Sequence, residues 1–214
     1  MTPDTLVFEF YGEGLRDYGF LMPLVNRSIE WLTTDLDVRS IALKDVPVSG
    51  LSQIDKMRRV AEAGYKSCRF IVFHLDADAP STKRAYTQRF QPGHTAILTA
   101  PDSARLNRQL VPVIPVRMTE AWMLTDLAAF QKATATRLSA KELNFPTKPH
   151  QVESIRDPKA VFEAAVGMVN RKKRSNVSFN ALYERLADII DLDTLNHVPA
   201  YREFTDRLRT ILQI

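Results

Sequence analysis

The chain has 214 residues, with 29 Lys and Arg against 25 Asp and Glu and a formal net charge of +4. Its 45% apolar and 25% charged side chains are those of an ordinary globular chain, which excludes intrinsic disorder, collagen-like repeats and coiled coil; the length suits one sizeable core or a main domain with a helical appendage. The charge is uneven: residues 1–130 carry 15 basic and 15 acidic side chains and residues 131–214 carry 14 and 10, so the whole surplus lies in the C-terminal part.

In chain order, Leu6 to Tyr11 (LVFEFY) is β-rich and mostly apolar, and a Gly12 to Gly14 turn leads into an amphipathic helix from about Arg16 to Leu32. Val38 to Val46 reads as a second strand, Val48 to Ser52 as a loop, and Gln53 to Ala63 as a helix ended by Gly64. The continuous apolar run Phe70 to Leu75 (FIVFHL) predicts a central strand buried on both faces. A polar stretch holding Lys83, Arg84 and Arg89 follows, then a short helix around Asp102 to Leu110. Val111 to Val116 is the next strand candidate, and Pro112 and Pro115 favour an edge position or an irregular end for it. Glu120 to Phe130 reads as one helix. Alternating strands and helices predict an α/β domain with a mainly parallel sheet over 1–130. After a Pro-containing connector (Asn144 to His150), helices near Pro158 to Asn170, Phe179 to Ile190 and Pro199 to Leu212 predict a helical extension, 131–214, packed on that domain.

Several chemistries are absent. The single cysteine, Cys68, forms no intrachain disulfide and, with four scattered histidines, no zinc site of the usual kind, which fits a reducing cytoplasm. The N-terminal residues read as a strand and not a signal peptide, and no apolar run approaches the roughly 20 residues of a membrane span. The phosphate-cradling glycine loops GxxxxGK[ST] and GxGxxG are missing, as are HExxH and GxSxG. Chemistry must rest on carboxylates.

In open parallel sheets ligands bind beyond the carboxyl ends of the strands, so acids placed there take priority. Glu13 and Asp17 follow the first strand, one helical turn apart. Asp76 and Asp78 end the third and, in extended chain, would point the same way. Glu120 opens the helix after the fourth. Five such acids repel one another unless cations relieve them, and hard divalent ions use one or two carboxylates each, so the set could hold two ions of Mg²⁺ or Mn²⁺. Each acid also has a plainer reading, as a helix-dipole acid or, for Asp78 before Pro80, as a helix cap.

The loop GEGLRD (Gly12 to Asp17) and the strand FIVFHLDAD ending in Asp76 and Asp78 resemble the Toprim fold of topoisomerases, primases and nucleases of the overcoming-lysogenization-defect type. More narrowly, VPVIPVRMTEAWMLTD (Val111 to Asp126), DPKAVFEAA (Asp157 to Ala165) and PAYREFTDRL resemble the DUF4276 family of bacterial Toprim-like proteins. The resemblance implies a parallel sheet flanked by helices and a metal-dependent nuclease. Glu13 then corresponds to a ligand or general acid/base, Asp76 and Asp78 to the metal pair, Asp17 to the second acid of an ExxxE/D pattern, and Glu120 to the acid of a Glu-Ala-Trp block. It also implies an ATPase partner of the AAA or ABC type in anti-phage defence.

For a nucleic acid substrate, Lys83, Arg84 and Arg89 beside the DxD and the run Arg171, Lys172, Lys173 and Arg174 are the candidate phosphate contacts. The plainer reading of that run is a solvated helix end. His74, Trp122, Met123, Tyr183, Tyr201 and Phe204 read as core. Rival functions are a catalytically inactive Toprim-like scaffold held by an ATPase and a nucleotide-sugar transferase using the DxD. A DxDxT phosphatase fits poorly because Pro80 stands at the Thr position. No membrane partner is expected, and the chain is compatible with a homo-oligomer.

Overall fold

The computed structural model describes residues 5–33, 36–174 and 176–214. Four parallel strands, β1 (Thr5–Tyr11), β2 (Asp37–Ala42), β3 (Phe70–His74) and β4 (Leu110–Val113), pair in the order β2-β1-β3-β4. Glu9 lies opposite Ile71 in the central pair, and Pro112 opposite Phe73 at the β4 edge, where its missing N–H breaks no interior ladder. Between β1 and β2 runs α1 (Leu15–Leu32), and between β2 and β3 runs α2 (Gln53–Ala63). The chain therefore leaves β1 toward one side of the sheet and returns as β3 on the other. The carboxyl ends of β1 and β3 flank the resulting crevice, the usual ligand position of such sheets.

Every residue of β3 is buried, because side chains alternating along the strands feed two apolar layers. Phe8, Phe10, Phe70 and Val72 face α1 and the C-terminal helices, whereas Tyr11, Ile71 and Phe73 face α2 and the segment after β3. That segment contains α3 (Lys83–Ala85), a π-turn (Tyr86–Phe90) and α4 (Gln91–Thr99) run together. It differs from the polar stretch expected there. The apolar positions Ala85 and Phe90 are five residues apart, one more than helical spacing, and the wide π-turn absorbs the extra residue. The helix expected over Asp102 to Leu110 is a single 3₁₀ turn, Ser103–Arg105. The second strand ends at Ala42, short of Val46.

The helix expected over Glu120 to Phe130 is two: α5 (Glu120–Met123) and α6 (Leu127–Thr134). Asp126 separates them, its carboxylate accepting from the Ala129 N–H at 2.9 Å as an N-cap and from the Asp191 N–H at 3.0 Å. Beyond α7 (Ala140–Leu143) and a 3₁₀ segment (Pro149–Ser154) come α8 (Pro158–Lys173), α9 (Phe179–Ile189), α10 (Leu192–Leu195) and α11 (Pro199–Leu212). Their apolar stripes join the α1 layer in one cluster, through Phe162, Tyr183, Leu186, Tyr201 and Phe204. Arg27 of α1 closes the junction by donating to the Ala187 and Ile190 carbonyls at 2.6 and 3.0 Å, which satisfies the end of α9.

Phe162 packs against Phe130, Phe179 and Tyr183 and is fully buried. Phe162→Ala should cost about 3–5 kcal/mol in urea denaturation. Because α8 shares its core with the sheet, circular dichroism and tryptophan fluorescence should report one common, shifted transition.

Candidate functional site

Three βα loops meet above the ends of β1, β3 and β4. The first is tight: a Cβ on Gly12 would lie 2.8 Å from that of Asp17, so only glycine lets the first turn of α1 fold back over the end of β1. Within that turn Asp17 Oδ2 accepts the Gly14 N–H at 2.7 Å. Asp17 thus stands in the first turn of α1, where the plainer reading put a helix-dipole acid, and the same oxygen faces His74.

His74 is the last residue of β3 and only 1% exposed. Its Nδ1 lies 3.1 Å from Asp17 Oδ2 and its Nε2 3.3 Å from Asp76 Oδ1, with Thr119 Oγ1 3.4 Å from Nε2. The Nδ1 contact lies outside hydrogen-bond alignment and acts as a charge contact, whereas Nε2 has hydrogen-bond geometry. Burial alone would lower the imidazole pKa, but the two carboxylates outweigh it and raise it from 6.5 to about 10. For Asp17, burial acts to raise the pKa, and His74 with the backbone donors of the turn overrides it to lower the value. The centre is therefore a buried imidazolium between two carboxylates.

Glu120 opens α5, is 7% exposed, and accepts the Tyr183 hydroxyl from α9 at 2.9 Å on Oε1. Burial and then the Glu120 charge raise the Tyr183 phenol above its ordinary range, which keeps it a donor. Glu13, Asp17, Asp76 and Glu120 together line a cleft of about 600 Å³, with Arg16 and Lys159 at its wall.

Asp78 does not line this cleft. Its backbone is left-handed, φ 51°, so the expectation that Asp76 and Asp78 point the same way fails. Its 72%-exposed side chain turns to Arg89, whose Nη1 donates to Asp78 Oδ2 at 3.3 Å and to the Asp76 carbonyl at 2.7 Å while Nη2 donates to Glu13 Oε1 at 3.1 Å. Of the expected phosphate contacts, Arg89 reaches the acids. Lys83 and Arg84 are exposed away from the cleft lining, Arg84 donating to Gln88 at 2.9 Å. The basic run is a helix end: Lys172 pairs with Glu142 at 2.8 Å, Lys173 donates to the Thr134 carbonyl at 3.0 Å, and Arg174 is the left-handed cap of α8. Lys159 marks the cleft end of α8, and Arg171 is 12 residues, about 18 Å, farther along the axis.

His74, Tyr183, Arg16, Thr119 and Lys159 were not among the expected site residues. The clue to His74 was its place as the one polar residue of FIVFH, at the carboxyl end and two residues before an acid. Nothing local marks Tyr183, which arrives from a helix more than 60 residues away.

Comparison with family models, curated proteins and solved structures found no match.

The donor set suits a hard cation. His74 holds one oxygen of Asp76, Gly14 one of Asp17 and Tyr183 one of Glu120, and no side-chain hydrogen bond or ion pair among the described residues engages the second oxygen of Asp76 or Glu120. Those second oxygens are the ones the chain can offer to Mg²⁺ or Mn²⁺, held in orientation from behind. Among the described residues no three or more His, Cys, Asp or Glu side chains are grouped closely enough to hold a metal ion as they stand.

Three outcomes follow. His74→Leu leaves Asp17 and Asp76 without their cation and should cost about 3–5 kcal/mol in urea denaturation. Since the folded-state pKa lies above 6.5, the His74 contribution is complete below pH 6.5 and lost as pH rises through about 10; wild-type stability should fall over that interval and that of His74→Gln should change less. Tyr183→Phe, which frees Glu120 Oε1, should weaken Mn²⁺ binding by about 10–100-fold in titration calorimetry with an unaltered far-ultraviolet spectrum.

Proposed function

We propose that this chain is a Mg²⁺- or Mn²⁺-dependent nuclease of the Toprim kind. The observation that carries the reading is the convergence of Glu13, Asp17, Asp76 and Glu120, from three separate βα loops, on one cleft beside the β1–β3 crevice. Such loops lie where open parallel sheets bind ligands, and the carboxylates offer the oxygen donors that divalent-ion phosphoryl chemistry requires. The resemblance of GEGLRD and FIVFHLDAD to Toprim segments supports the same reading.

A divalent ion held by Asp17, Asp76 and Glu120 would supply a water of lowered pKa and charge stabilisation at the phosphate. The chain supplies the rest. His74 holds the carboxylates of Asp17 and Asp76 toward the cleft. Glu120, fixed on one oxygen by Tyr183, presents the other to the ion or to the proton of the water. Arg16 and Lys159 at the wall neutralise phosphates of the nucleic acid. In the C-terminal basic run, Lys172 and Lys173 fasten α8 to α7 and α6.

A second reading, an inactive Toprim-like scaffold, draws support from His74 and Arg89, which already balance part of the acidic charge. Both readings are compatible with an ATPase partner of the AAA or ABC type, which rests on the resemblance. Among the described residues no helix is long and apolar enough to cross a membrane.

The two separate in a cleavage assay on plasmid, single-stranded DNA and tRNA, run with Mg²⁺ or Mn²⁺ and with and without such an ATPase. The nuclease reading expects cleavage abolished by EDTA and reduced by about 100-fold or more in Asp76→Asn and in Glu120→Gln. Cleavage unaffected by both substitutions, or none under any condition, would leave the scaffold.

A further inference from the structure

The notch between Glu13 and Asp78 is already filled from within the chain. Arg89 reaches it from the π-turn, where the Gln91 N–H bonds the Tyr86 carbonyl and Phe90 is buried against Phe73. The neighbouring residue is thus anchored in the core, and the guanidinium is held by three contacts at once: Glu13 at 3.1 Å, Asp78 at 3.3 Å and the Asp76 carbonyl at 2.7 Å. π-turns within helices commonly mark functional positions, and this one delivers a cation to the acids.

We propose that Arg89 is a built-in cation standing in place of a second metal ion, so that the site takes one divalent cation, on the Asp17, Asp76 and Glu120 side. The inference rests on the metal-dependent reading above and narrows it from two ions to one. A divalent ion drawn to Glu13 and Asp78 would have to displace three hydrogen bonds or lie beside a fixed positive charge, and either opposes binding. The three contacts use three of the five guanidinium N–H groups. The remaining two can donate to a phosphate oxygen, the role a second ion would otherwise fill.

Mn²⁺ binding to the full chain, counted by calorimetry and by the loss of the free-ion electron paramagnetic resonance signal, tests this. Wild type and Arg89→Lys should bind one ion per chain, Arg89→Gln two, and Arg89→Gln combined with Asp78→Asn one. Thermal melts establish that each variant is folded, and the wild-type count stands if Arg89→Gln does not fold. Two ions in wild type, or one in folded Arg89→Gln, would overturn the inference while leaving metal-dependent catalysis intact. No ion in either protein would overturn both.

Discussion

A buried imidazolium between two carboxylates holds this site together. His74 sits buried at the end of β3 with Nε2 hydrogen-bonded to Asp76 and Nδ1 in charge contact with Asp17, and the two carboxylates of one partly dehydrated cleft are stabilised by the cation between them. Each solves the other's problem. Asp17 belongs to the first turn of α1, just after β1, and Asp76 to the loop after β3, so the same contact also fixes the two central strand ends against each other. The geometry of the cleft therefore follows from sheet topology and charge pairing together.

A second tier of contacts works outward from that centre. Tyr183 carries the hydroxyl that orients Glu120, and it can do so only because the C-terminal helices share the core of the α1 face. Arg89 performs the corresponding task on the other flank, fixed by Phe90 in the α4 face. Both apolar layers thus deliver one side chain each to the acids, which ties the helical C-terminal part to the site although it contributes no expected catalytic residue. The charge surplus of the C-terminal part is placed apart from the cleft. Within it Lys172 and Lys173 bind α8 to α7 and α6.

Much of the fold was legible because it rests on local signals. FIVFHL announced a doubly buried strand, Pro112 an edge or irregular end, and the acids after β1, β3 and β4 the end of the sheet where the cleft lies. Other features depend on information that no local window holds. The π-turn breaks helical spacing by one residue and hides the helix that carries Arg89. The Asp126 cap splits α5 from α6 within an otherwise unbroken apolar pattern. Asp78 was expected beside Asp76, but its left-handed backbone redirects it. His74 and Tyr183 read as core because they are buried; their polar atoms find the acids only after distant elements pack.

The central claim is that the cleft bounded by Asp17, Asp76 and Glu120 binds a divalent ion for phosphodiester chemistry. It is met most directly by an anomalous difference map, at the manganese edge, of crystals grown with Mn²⁺ and a phosphorothioate dinucleotide. The account predicts a manganese peak within coordination distance of these three carboxylates, with the His74 ring behind them and a phosphorothioate oxygen or sulfur beside the ion. A fully ordered cleft without manganese, in crystals where the dinucleotide binds elsewhere, would contradict it.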